Sequence, residues 1–246
     1  MNNFFIALTL TSIAGLSTLI GFLILLIEIK NTNKFISFIL SFSFTIMLLI
    51  SIFDLIPTAL GLLNVKSSIT GITLFTVVFI LSSKLFNYIE SRVLNKKNSL
   101  YNIGIMSLIV LLIHNIFEGM LTFSSSYTNF SLGLKICILI ALHNIPEGIS
   151  IAVPIYYATK KKGRALIFVL VSSLTEVISG VLSFIFLHKF IQLNTFNGIL
   201  MIFTASLMIF LSVFELYPES LSYNEKKSMF YGFIIGLLIF IINIIL

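Results

Sequence analysis

Long blocks of apolar residues, each about as long as a bilayer is thick, constrain this chain more than any other feature. A hydrocarbon core of about 30 Å is crossed by about 20 helical residues. The 246-residue sequence holds about eight such blocks, which we place at 4–29, 35–63, 69–89, 101–124, 131–157, 165–190, 196–218 and 228–246. The connections are short and leave no room for a soluble domain, so residues 1–246 read as one integral membrane domain. Transmembrane barrels alternate polar and apolar residues along each strand, whereas these residues run apolar in blocks. The expected fold is therefore all-α, with eight transmembrane helices. Composition closes the other routes. The chain is 58% hydrophobic and 10% charged, with a mean hydropathy of +1.13, against about 25% charged residues in soluble domains. A soluble enzyme, a nucleic-acid-binding domain and a disordered chain are excluded.

The charges are few and sorted. Fifteen basic and nine acidic residues give a net charge of +6. Loops after spans one, three, five and seven hold Lys30, Lys34, Lys84, Arg92, Lys96, Lys97, Lys160, Lys161, Lys162, Arg164, Lys226 and Lys227, twelve in all. The opposite side holds Lys66, Lys135 and Lys189. The positive-inside rule places both termini outside the cytoplasm. These basic residues are read as topology determinants. The bilayer, and no nucleic acid, is the implied partner. Met1-Asn2-Asn3-Phe4 carries no basic region and no small-residue cleavage site follows, so the first block reads as a retained span. Cys137 is the sole cysteine and reads as a small core residue. With no Trp, interfacial aromatics must be Tyr and Phe.

The acids lie elsewhere. Glu28, Glu90, Glu219 and Glu225 are near span ends, but Asp54, Glu118, Glu147, Glu176 and Glu215 lie within spans. A charge at the bilayer centre costs at least about 2.5 kcal/mol on insertion scales. No Lys or Arg sits deep in any span, so these five carboxylates need another source of compensation. Protonation is one answer. A bound cation is the other.

Two segments repeat: His114-Asn115-Ile116-Phe117-Glu118-Gly119 and His143-Asn144-Ile145-Pro146-Glu147-Gly148, identical at five of six positions and 29 residues apart. His and Glu at i and i+4 project from one helix face. If spans four and five pack on these faces, they present two imidazoles and two carboxylates. Four such ligands suit tetrahedral Zn²⁺, and imidazole with carboxylate also serves Fe²⁺ or Mn²⁺. Asn115 with Glu118, and Asn144 with Glu147, can build a second, oxygen-richer site that shares both glutamates. Glu176 is the remaining intramembrane acid best placed to join it. The glycine after each Glu allows close helix approach. Pro146 frees the carbonyl of Leu142 and predicts a kink in span five; Phe117 gives span four no such reason.

A second repeat pairs Met47, Ser51, Phe53, Asp54, Leu55 and Pro57 of span two with Met208, Ser212, Phe214, Glu215, Leu216 and Pro218 of span seven. The two spans run in opposite directions, as in an inverted-topology repeat with a site near the midplane. Asp54 and Glu215 then become matched inlet and outlet carboxylates. Capping of a helix broken before proline is the alternative reading of each. His188, beside Lys189 at a span end, reads as interfacial.

At these residues the chain resembles the ZIP (Zrt/Irt-like) family of divalent-metal transporters, in its short bacterial branch. The motifs that carry the resemblance are HNIFEG, HNIPEG, LTEVISG at 174–180 and the FDLIP/FELYP pair. It implies a 3+2+3 helix arrangement, and a transport site formed by His114, Glu118, His143 and Glu147. A neighbouring site is implied at Asn115, Asn144 and Glu176 with the shared glutamates. It further implies a cell (inner) membrane location, frequent homodimers, and movement of the span-four and span-five block. The cargo is Zn²⁺, with Fe²⁺, Mn²⁺ and Cd²⁺ as alternatives; no catalytic cofactor is implied. The chain departs from the family pattern at Phe117, where proline is common, and lacks a His-rich loop between spans three and four. The expected function is import of divalent metal. Two rivals are an intramembrane metal-dependent hydrolase and a proton-coupled carrier of a nonmetal substrate. Against the first, Asn115 and Asn144 stand where an HExxH motif has its general base.

Overall fold

The computed structural model describes the backbone of residues 2–27, 31–93 and 99–245. Glu28, Lys30, Lys96 and Lys97 lie outside the described residues, as does the side chain of Glu90. Among the described residues every regular element is helical. They are α1 (Asn2–Leu16), α2 (Thr18–Leu23), α3 (Thr32–Ile50), α4 (Ile56–Leu62), α5 (Val65–Val93), α6 (Ser99–Thr128), α7 (Phe130–Thr159), α8 (Lys162–Ile191), α9 (Asn194–Leu211), α10 (Tyr217–Ser222) and α11 (Lys226–Ile245). Seven helical stretches among the described residues are long and apolar enough to cross a membrane. The 20-residue α11 takes the place of the eighth block.

The blocks hold, and their interiors add detail. Span one breaks at Ser17, between α1 and α2, where the Ser17 hydroxyl donates to the Ala14 carbonyl at 2.6 Å. Span two breaks after α3 into a π-helical turn, Ser51–Leu55, before α4. Span seven does the same through Ser212–Leu216, between α9 and α10. The cause lies two residues beyond each turn. Pro57 and Pro218 have no N–H, and their rings crowd the carbonyl four residues back. A widened turn moves the ladder to i→i−5, which the Ile56 N–H makes to Ser51 and the Tyr217 N–H to Ser212. Ser51 and Ser212 each donate back to the carbonyls of Met47 and Met208 at 2.7 Å. The second sequence repeat is thus a repeated backbone device that re-aims Asp54 and Glu215. The helix stays continuous through Pro146, with α7 running unbroken from Phe130 to Thr159.

The helices pack in two groups. One contains α1, α2, α6, α7 and α8; the other contains α3, α4, α5, α9, α10 and α11. Serines tie the second group together, with Ser37 donating to the Ser220 carbonyl at 3.1 Å and Ser41 to that of Met229 at 2.7 Å. The groups meet chiefly where α3 faces α7 and where α6 faces α9. The first group holds the repeated motif.

Candidate metal centre

The two HNxxEG copies sit in the middles of α6 and α7, which pack side by side. Glycine at the sixth position sets how close the neighbours come. A Cβ on Gly119 would strike the Glu176 carbonyl oxygen and the Ser179 hydroxyl of α8. One on Gly148 would strike the Thr18 carbonyl at the start of α2. Each motif therefore draws the backbone of a neighbouring helix against the residue that follows its glutamate.

This packing buries every motif ligand. His114, Asn115, Glu118, His143, Asn144, Glu147 and Glu176 are each at most 1% exposed. Glu118 Oε1 lies 2.9 Å from Nε2 of both His114 and His143, and Glu147 Oε1 lies 3.6 Å from His114 Nε2. One ligand atom each from His114, His143 and Glu147 falls within 4.8 Å of the others. The imidazole centroids are 6.2 Å apart. His143 Nδ1 is 3.0 Å from the Leu139 carbonyl, which only a protonated Nδ1 can satisfy. In the neutral ring Nε2 then carries a lone pair and faces a carboxylate oxygen. Two acceptors at this distance need a proton or a metal ion between them. A ring nitrogen tied to a backbone carbonyl is also how metal-bound histidines are held.

The oxygens around the imidazoles are equally one-sided. Asn115 donates its amide to the carbonyl and hydroxyl of Ser172 at 3.2 and 3.0 Å. Asn144 donates to the Ala14 carbonyl at 3.0 Å and to Glu176 Oε2 at 2.7 Å. Both amides thus spend their donors on helix α8 and on α1. Asn115 Oδ1, Asn144 Oδ1, Glu118 Oε2, both Glu147 oxygens and Glu176 Oε1 are buried without a hydrogen-bond partner. Among the described residues no Lys or Arg pairs with these three glutamates. Buried acceptors that lack donors carry a large desolvation penalty. A cation answers all of them at once, and the mixture of imidazole, carboxylate and amide oxygen suits borderline divalent ions.

Comparison with known proteins agrees with this chemistry. A family model described as ZIP Zinc transporter matches residues 89–243, more than half of the chain. The chain is 32% identical to the zinc transporter ZupT of Clostridium perfringens, covering 100% of this chain and 97% of that protein. It is 35% identical to the zinc transporter ZupT of Streptococcus mutans, covering 98% and 97%. The same comparison with the zinc transporter ZupT of Chlorobium limicola gives 32% over 100% and 99%. The chain belongs to the ZIP family. As a ZIP protein it is an integral membrane transporter of divalent metal cations and not an enzyme.

Not every acid of this ZIP chain joins the centre. Asp54 does have a basic partner: Lys135 Nζ lies 3.1 Å from its Oδ1. That corrects the expectation that all five intramembrane carboxylates lack one. The pair joins residues 81 apart, on the turn after α3 and on the second turn of α7, so no sequence window could show it. Glu215 sits on the π-helical turn between α9 and α10. Phe117, in place of proline, packs against Phe203 of α9 with ring centroids 4.2 Å apart and the planes tilted by 50°, and α6 is helical throughout. Cys137 is buried and its thiol donates to the Leu10 carbonyl at 3.2 Å. His188 packs against the rings of Phe184 and Tyr127 at 4.7 and 5.8 Å.

Two contributors escaped the sequence reading. The Ala14 carbonyl of α1 holds Asn144, and the Gly15 carbonyl accepts from Ser173 at 2.8 Å. The signal was present. Ala7, Ala14 and Gly21 recur every seven residues, a small-residue stripe that lets helices approach closely.

Proposed function

We propose that this ZIP protein imports zinc into the cytoplasm and that His114, Glu118, His143 and Glu147 hold the ion in transit. Asn115, Asn144 and Glu176 offer a neighbouring oxygen-rich site that shares the two motif glutamates. The observation that carries this reading is the set of six buried acceptor oxygens without donors around two facing imidazoles. The whole chain acts as one membrane unit in the cell (inner) membrane, with both termini outside. The loop charges support that orientation. Asp54 then sits toward the outer mouth and Glu215 toward the inner one. The division of the helices into two groups supports alternating access. The group carrying the centre would shift against the other along the α3–α7 and α6–α9 contacts. Iron, manganese and cadmium as further cargo, and pairing as a homodimer, belong to this reading through the family resemblance.

The test is uptake by proteoliposomes that contain the purified chain. Zinc, ferrous iron, manganese and cadmium are supplied singly. Zinc is expected to accumulate above the level in empty vesicles. Accumulation of none of the four would overturn the reading.

A further inference from the structure

The Asp54–Lys135 pair is not absorbed by the transport site, and its placement has a consequence. The two groups are 3.1 Å apart, with side chains 12% and 39% exposed respectively. Asp54 Oδ2 is buried without a hydrogen-bond partner, so the carboxylate is half satisfied. The pair also crosses the boundary between the two helix groups, since α3 and α7 are where they meet. Lys135 lies eight residues before His143 on the same helix, about 12 Å along its axis.

The internal repeat makes Lys135 unusual. With the two HNxxEG copies in register, 29 residues apart, position 135 corresponds to Met106. The repeat carries a cation beside one motif and an uncharged side chain at the matching position of the other. The lysine therefore breaks the symmetry at the Asp54 end.

We propose that Lys135 is a specificity-determining residue, a tethered cation that any incoming ion must displace from Asp54. This rests on the reading of Asp54 as the inlet carboxylate. A monovalent ion gains no more from the carboxylate than the ammonium it displaces. A divalent ion gains about twice the Coulomb energy at equal distance. Should the ion bind at the remaining oxygen instead, the ammonium beside it repels it. Either way Lys135 raises the concentration of metal needed to fill the inlet, and it rejects singly charged ions.

The experiment measures initial zinc uptake against zinc concentration in proteoliposomes, with and without excess potassium. Lys135→Met, which installs the residue of the other repeat, is expected to lower KM about fivefold. That is the ratio an ion pair of about 1 kcal/mol sustains. The maximal rate should stay within about twofold, and potassium should now inhibit. Lys135→Arg should keep the wild-type KM. Lys135→Gln repeats the test with a polar side chain should the methionine variant fail to fold. In the Asp54→Asn background, Lys135→Met should change nothing. An unchanged or raised KM in both uncharged variants would overturn the proposal. So would a changed maximal rate at constant KM, which marks the pair as a brace between helix groups. An Asp54→Asn single variant with wild-type kinetics would show instead that the inlet reading itself fails.

Discussion

Replacing Glu118 by alanine is expected to abolish zinc uptake by proteoliposomes while the protein still inserts and remains monodisperse. Glu118 Oε1 touches both imidazoles at 2.9 Å, so it is the one carboxylate oxygen common to the two copies of the motif. Without it, His143 Nε2 loses its hydrogen-bond partner, and the centre loses one of its three buried carboxylates. Changing a group that merely orients a metal ligand costs about 10–100-fold in affinity or activity. Removal of a ligand shared by two histidines should exceed the upper figure. Glu118→Gln keeps the shape and removes the charge, and it should fail nearly as badly. Glu147→Ala should behave alike. Normal uptake by both alanine variants would remove these residues from the transport site.

A substitution that replaces no ligand should do comparable damage. Gly119→Val places carbon where the Glu176 carbonyl and the Ser179 hydroxyl now lie, with the Glu176 carbonyl carbon only 2.7 Å from the first added atom. That neighbour is helix backbone, and it cannot turn aside as a side-chain tip can. The α6 and α8 helices must separate, and Glu176 moves with α8. Overpacking typically costs about 1–3 kcal/mol, and the constraint here is at the upper end. A lowered unfolding temperature in detergent and loss of most uptake are expected. Gly163 is the control, because nothing lies within 4 Å of an added Cβ there. Equal stability of Gly119→Val and Gly163→Val would contradict the packing argument.

The sequence exposes whatever is local or repeated. Apolar blocks of bilayer length mark the spans without knowledge of their neighbours, because the bilayer imposes that length on each helix separately. The duplicated HNxxEG places four ligands on two helix faces, since i and i+4 residues share a face whatever else the chain does. The FDLIP and FELYP segments show their likeness in the sequence. Their π-helical turns are not written in the motif, because a proline can be accommodated by a kink or by a widened turn. Asp54 and Lys135 meet only through the packing of α3 on α7. The tilt of the amides toward Ser172, Ala14 and Glu176, which leaves Asn115 Oδ1 and Asn144 Oδ1 without donors, depends on four helices at once, α1, α6, α7 and α8. Spacing along one helix cannot carry that information.

Zinc K-edge absorption spectroscopy of the purified, zinc-loaded protein tests the central claim most directly. The paired motif predicts a shell of nitrogen and oxygen at about 2.0–2.2 Å. Outer-shell imidazole scattering should accompany it, and should be lost in the His114→Ala, His143→Ala double variant. A sulfur shell at about 2.3 Å, or a wild-type spectrum in the double variant, would contradict the assignment of the ion to α6 and α7.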